Sequence, residues 1–357
     1  MCPDQPAGLR GSKGPLDSPL RCGRVGSGAA RHRASAIALA LVTSIGLLMA
    51  IGARAQAWPT KPVRLIVPFA GGGGTPDSVA RIMGQALSTQ TGQGFVVDNR
   101  PGANGLIGAE LLAKAPPDGH TLMIVSTSYA INPSMYRKLP YDPLTDIAPV
   151  TNLCAVEGLF LTVNPGVPAK TLQEFIAWTK QPDAKVSYGT PGIGNSLHLA
   201  TELFNNRAGT TMVHVPYKGS GPAMAAVMGG EIQAMFITPP QAIQGVKAGQ
   251  IRALAYTGKT RASFLPEVPT MAEAGLEGMV LDGGWFALFA PGGTPPALIE
   301  RLHLEARKAL ESAMVRERFD AMGLTAVGNS PAEFRAFVQA QMRSYAEMVK
   351  LAKIQPE

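Results

Sequence analysis

Four consecutive glycines, Gly71 to Gly74, separate a β-branched run from an amphipathic stretch. That junction restricts the chain to folds with a strand-to-helix turn whose backbone is left bare of Cβ atoms. Before the glycines, Val63-Arg-Leu-Ile-Val67 reads as a buried strand. After them, Val79, Ile82, Met83, Ala86 and Leu87 recur at helical spacing. Thr75 is expected as N-cap, with Pro76 and Asp77 at the first two helical positions. The free N–H groups of such a helix start, with the dipole behind them, form an anion site. The competing reading is a tight, well-capped turn that binds nothing, and for one such turn it has the stronger claim. The rest of the chain decides between them.

A length of 357 residues suits two domains, once a leader is removed. Arg31-His-Arg33 precedes an apolar stretch from Ala36 to Ile51, followed by small-x-small signals at Ala53-Arg-Ala55 and Ala55-Gln-Ala57. This is the layout of a secretory signal peptide, cleaved near Ala55 or Ala57, and the apolar core is short for a membrane span. Residues 1–30 read as an over-extended start, with Val25 as an alternative one. Of 32 Lys and Arg, seven lie in residues 1–57, as do two of the 25 acids, so a net charge of +7 falls to +2 in the mature chain. The basic balance therefore gives no argument for nucleic acid or an anionic membrane surface. Cys154 is left alone, a core residue in an apolar neighbourhood with no disulfide partner.

From Trp58 onward short apolar strands alternate with helical stretches, the sign of an α/β protein. Residues 94–98 and 120–125 read as strands flanking a helix from Ile107 to Ala115, and Tyr129 to Pro149, with four prolines, reads as a loop with short helical turns. Val156 to Val163 is expected to form one strand. Thr171 with Glu174 makes a capping box. Next, Lys185 to Tyr188, Gly189-Thr-Pro-Gly-Ile-Gly194 and the helix from Asn195 to Phe204 repeat the opening pattern of strand, glycine turn and capped helix, with Asn195 as N-cap. Strands at Met212 to Pro216, Ile232 to Ile237, Ile251 to Tyr256 and Gly283 to Pro291 follow. Two long helices, Pro295 to Met314 and Pro331 to Leu351, close the chain. The second glycine turn raises the anion reading above its rival.

Several chemistries are refused by detail. A P-loop is absent, and Gly192-Ile-Gly194 has Leu197 where the dinucleotide fingerprint requires glycine. His120, His198, His214 and His303 fall at no metal-ligand spacing, so neither metal nor cofactor is expected. His198 reads as a packed histidine bonding nearby backbone rather than a base. No Ser–His–Asp set is assignable, and a basic–aromatic face for nucleic acid is missing.

The motifs that remain are Val67-Pro-Phe…Thr-Pro-Asp77, Asp98-Asn-Arg-Pro-Gly-Ala103, Ala130-Ile-Asn-Pro133, Leu139-Pro-Tyr-Asp-Pro143, Ser196-Leu-His-Leu199, Val213-His-Val-Pro-Tyr-Lys-Gly219 and Pro269-Thr-Met-Ala-Glu-Ala-Gly275. With them the mature chain resembles the solute-binding receptors of tripartite tricarboxylate transporters, the Bug-type receptors. The resemblance implies a two-lobed type II periplasmic-binding fold, with lobe one at 58–158 and 284–357 and lobe two at 159–283. Hinges are expected near Cys154 to Val163 and Asp282 to Phe289. It implies a periplasmic, monomeric protein, not an enzyme, that closes over a small carboxylate (dicarboxylate, keto acid or aromatic acid) and passes it to membrane permease subunits. An α/β hydrolase or lyase acting on the same acids, and a sensor for a membrane signalling partner, remain the alternatives.

Carried over by position, the ligand loops comprise Phe69, Ala70, Gly73, Gly74, Thr75 and Asp77; Ser126, Thr127 and Ser128; and Gly192, Asn195, Ser196 and His198, with Thr238 opposite. Thr238 stands where the family frequently has an acidic or amide side chain, which argues against an amino acid as ligand. None of these loops contains Arg or Lys, so a carboxylate would rest on backbone N–H groups and hydroxyls, bridged by water. Asp77 is expected to tune its helix start rather than touch a like-charged ligand.

Overall fold

Strands buried on both faces place helices above and below them, and the sequence supplies two such sets. The computed structural model describes residues 58–72, 74–352 and 354–356, so the expected leader and Gly73 lie outside the described residues. In chain order the elements are β1 (Val63–Val67), α1 (Thr75–Thr91), β2 (Phe95–Asn99), α2 (Leu106–Ala113), β3 (Thr121–Ser126), α3 (Ser128–Met135), β4 (Ile147–Val156) and β5 (Phe160–Val163). These are followed by α4 (Leu172–Thr179), β6 (Ser187–Thr190), α5 (Ser196–Ala208), β7 (Val213–Pro216), α6 (Ser220–Gly229), β8 (Ala234–Ile237), α7 (Pro239–Lys247) and β9 (Arg252–Tyr256). Last come β10 (Gly284–Pro291), α8 (Pro296–Glu311), α9 (Ala313–Ala321), β11 (Thr325–Ala326) and α10 (Pro331–Leu351).

Two sheets result, ordered β11-β4-β10-β3-β1-β2 and β7-β6-β8-β5-β9. In the first, β1 lies between β2 and β3, parallel to both. In the second, β6 lies between β7 and β8, again parallel to both. Each central strand thus sits at a switch point, where successive connections leave on opposite sides and open a crevice at the strand's carboxyl end. The chain passes between the sheets from β4 to β5 and returns from β9 to β10.

Each half has its own core. Leu65, Ile66, Met83, Phe289 and Phe334 are fully buried in one, and Phe160, Phe175, Phe204 and Phe236 in the other. Burying each such side chain stabilises the fold by about 1.5–3 kcal/mol. Cys154 belongs to the first core, and burial pushes its thiol pKa far up, so it is an inert packing group.

Three expectations are corrected. The stretch 129–149, expected as loop with short helical turns, holds helix α3 with Pro133 inside it, and its end is the start of β4 rather than loop. Strand β4 shows no alternation because nine of its ten residues are buried, and Pro149 sits beside a register shift between Leu288 and Phe289 that tolerates it. The run 156–163 is not one strand; it divides between the two sheets. The helix expected at 295–314 breaks at Ser312, whose side chain accepts from Val315 N–H and caps α9. The Thr171–Glu174 capping box forms as expected.

Candidate functional site: a cleft at converging helix starts

The first turn is fixed from behind by a carboxylate. The N-cap is Gly74, in extended conformation, and Thr75 is the first helical residue, which corrects its expected capping role. With glycine before it, Thr75 can take helical angles, and its hydroxyl turns to Thr238 Oγ1, 2.7 Å away on the other half of the molecule. Asp77 accepts from Gly72 N–H at 3.3 Å, from Arg81 Nε at 2.9 Å and from Asn99 Nδ2 at 3.0 Å. Asn99 Nδ2 also donates to the Phe69 carbonyl at 3.0 Å. Burial alone would raise the Asp77 pKa, but the Arg81 guanidinium, the Asn99 amide and the Gly72 N–H hold it below the ordinary carboxylate range. A Cβ on Gly71 would come within 2.9 Å of Asn99 Oδ1, so the turn closes on this asparagine only with glycine there.

The second turn is fixed by neutral rings. Asn195 caps α5 as expected, accepting from Leu197 N–H at 3.0 Å. Gly194 N–H donates to His198 Nδ1 at 3.2 Å, which makes Nδ1 the acceptor and leaves the ring proton on Nε2. Thr190 Oγ1 lies 2.6 Å from His214 Nε2 and accepts from Gly192 N–H at 3.3 Å. The His198 and His214 rings stack at 4.0 Å between centroids, and Tyr188 stacks on His214 at 5.0 Å. Burial pushes both imidazoles down to about 4, with the neighbouring ring adding to the shift at His214. His198 is therefore a packed histidine holding backbone.

Between the turns lies a narrow cleft with about 30 Å³ of free space. Of the residues expected there, Phe69, Ala70, Gly74, Thr75, Ser126, Thr127, Asn195, Ser196 and Thr238 line it. Asp77, Ser128 and His198 do not: the first faces Arg81, the second is fully buried beneath Ser126, and the third stands behind the loop it holds. Gly192 lines an adjoining cavity. Leu197, within the loop expected from Gly192 to His198, lines the cleft too, while sequence reasoning missed Ser220, Gly283, Trp285 and Phe286 on the wall. Ser220 had a local signal, the glycine at 219 ahead of a helix, whereas Trp285 and Phe286 arrive on β10 from the far end of the chain. It also missed Asn104, whose side chain donates to Asn132 Oδ1 at 2.9 Å and meets Asn195 across the cleft at 3.5 Å.

The wall residues stand at the N-termini of five helices: Thr75 on α1, Thr127 before α3, Ser196 on α5, Ser220 on α6 and Thr238 before α7. Each start carries a partial positive charge of roughly half a unit. Among the described residues no Lys, Arg, Asp or Glu lines the cleft. The potential there is positive without a cation, and hydroxyls together with helix-start N–H groups, none of them from Pro76, Pro239 or Pro240, offer donors to an anion small enough to be enclosed. Among the described residues no group of three His, Cys, Asp or Glu could hold a metal ion, and no helix is long and apolar enough to cross a membrane.

Known proteins share this architecture. Residues 79–353 match the tripartite tricarboxylate transporter family receptor. The protein BugT of Bordetella pertussis is 38% identical over 298 residues, spanning 83% of this chain and 90% of BugT. A Rhodopseudomonas palustris protein solved with adipate is 34% identical, with a TM-score of 0.80 over 84% of this chain and 100% of its own. MatC of the same organism, solved with bound malate, is 29% identical, with a TM-score of 0.77 over 82% of this chain and 100% of its own. The two halves are thus the lobes of a periplasmic-binding-protein fold. The chain belongs to the tripartite tricarboxylate transporter receptor family of periplasmic solute-binding proteins.

Proposed function

We propose that this receptor captures a small carboxylate in the cleft between Thr75 and Ser196 and delivers it to the membrane permease of a tripartite transporter, performing no chemistry on it. The observation that carries the reading is the convergence of five helix starts and a ring of hydroxyls on a cleft free of charged side chains. Relatives solved with adipate and malate support a carboxylate as the anion. A carboxylate accepts several hydrogen bonds from such donors, whereas an amino group would find no acidic partner.

The ligand-contacting groups in this reading are the N–H groups of Thr75 and Ser196 and the hydroxyls of Thr75, Ser126, Ser196 and Thr238, with Phe69 as an apolar wall. Lobe one comprises residues 58–158 and 284–357, lobe two 159–283, and closure bends the crossings near Cys154 to Val163 and Asp282 to Phe289. The receptor works as a monomer in the periplasm, after cleavage near Ala55 or Ala57. Calorimetric titration of the purified protein with dicarboxylates, keto acids and aromatic acids tests this. Saturable binding with the acid recovered unchanged is expected, weakened at least tenfold in Thr75→Val/Ser196→Ala. Conversion of the acid, or unaltered affinity in the double variant, contradicts it.

A further inference from the structure

A second cavity, of about 210 Å³, adjoins the cleft, and Phe69 and Pro191 wall both. Its other walls are Tyr136, Ile193, Tyr217 and the loop from Gly102 to Gly105. It also holds Lys218, the one Lys or Arg among the described residues lining either space. The Lys218 side chain is exposed and has no acidic partner among the described residues.

The position of Lys218 is set by backbone. Ala70 N–H donates to the Lys218 carbonyl at 3.3 Å, and Tyr217 N–H to the Thr190 carbonyl at 2.9 Å. Gly219, at φ +139°, lets the chain pass Ala70, where an added Cβ would come within 3.3 Å of the Ala70 Cβ. Lys218 therefore sits on the seam where the lobes meet, joined by its carbonyl to a residue of the cleft wall. The facing wall is rigid: Gly102, Ala103, Asn104 and Gly105 all have positive φ, and two amide hydrogen bonds between Asn104 and Asn132, at 2.9 and 3.2 Å, fix them.

On the carboxylate reading, helix starts neutralise one carboxylate in the cleft. A chain leaving it past Phe69 and Pro191 crosses apolar surface before it reaches an unpaired ammonium. Resting on the carboxylate reading above, we propose that the outer cavity is a distal subsite in which Lys218 reads a second anionic end, making it the residue that separates diacids from monoacids.

The probes are adipate and its monomethyl ester, which have the same chain and differ in one charge. Calorimetry should give the wild-type receptor a preference of about tenfold for the diacid, diminishing as salt is added. In Lys218→Gln the ratio should fall to near one, in Lys218→Glu it should invert, and in Lys218→Arg it should persist. A ratio unchanged in both Lys218→Gln and Lys218→Glu overturns the distal subsite and leaves the carboxylate reading standing. If neither adipate, its monoester nor any small acid binds the wild type, the carboxylate reading itself fails, and the subsite with it.

Discussion

The turn after β1 and the turn after β6 each lead a strand into a helix start on the cleft, yet opposite chemistry holds them. Asp77, salt-bridged to Arg81, ties down the first. Two neutral, stacked imidazoles and an asparagine cap tie down the second. Asp77 and His198 stand behind their loops and off the cleft wall, whereas Asn195 both caps its helix and lines the cleft. The difference teaches that the fold requires a rigid, donor-presenting loop at each helix start, and is indifferent to whether charge or packing supplies the rigidity.

That comparison can be broken by removing each anchor. The largest effect is expected for Asp77→Ala, which strands Asn99 and the Gly72 N–H and leaves Arg81 without its partner: a loss of about 3 kcal/mol in urea unfolding. Arg81 is largely exposed, so water compensates part of the broken pair. His198→Ala removes a packed ring and the acceptor of Gly194 N–H, and should cost about 2 kcal/mol. Were the second turn held by its cap alone, His198→Ala would leave stability almost unchanged. Asn195→Ala should cost about 1 kcal/mol as a lost N-cap. The double variant Thr75→Val/Thr238→Val should change stability by no more than about 0.5 kcal/mol, because it replaces both partners of one bond and no cap. A loss as large as that of Asn195→Ala would return the capping role to Thr75.

Acid should also tell the turns apart. In the unfolded chain the two imidazoles bind protons below their ordinary 6.5, and in the folded protein only below about 4. Between those values unfolding takes up protons, so the second turn's contribution falls as pH drops from 6.5 toward 4. Asp77 behaves otherwise: its lowered pKa keeps its contribution intact above the usual 3.8, to be lost only as pH falls through its folded value. Urea midpoints at pH 7.0 and 4.5 should therefore differ less in His198→Phe/His214→Phe than in the wild type. An undiminished difference would place the acid sensitivity elsewhere.

Much of this was legible in the sequence. Both glycine turns, the Asn195 cap and the absence of Lys and Arg from the loops follow from local residue chemistry. What escaped is non-local. Thr75 and Gly74 compete for one cap position, and the outcome depends on a hydroxyl 163 residues away. Strand β4 is hidden by burial on both faces and by Pro149. His198 and His214 stand 16 residues apart at no motif spacing, and only the pairing of β6 with β7 brings the second ring under the turn. Trp285 and Phe286 reach the cleft on a strand that returns after the second lobe is complete.

In the function proposed above, a cleft without cations selects an anion through helix starts and hydroxyls. The most direct measurement is the ratio of affinities for an acid that binds and for its primary amide, which has nearly the same shape and no charge. A preference for the acid of at least about a hundredfold is expected, from several charge-assisted bonds lost together. Equal affinities would contradict the account.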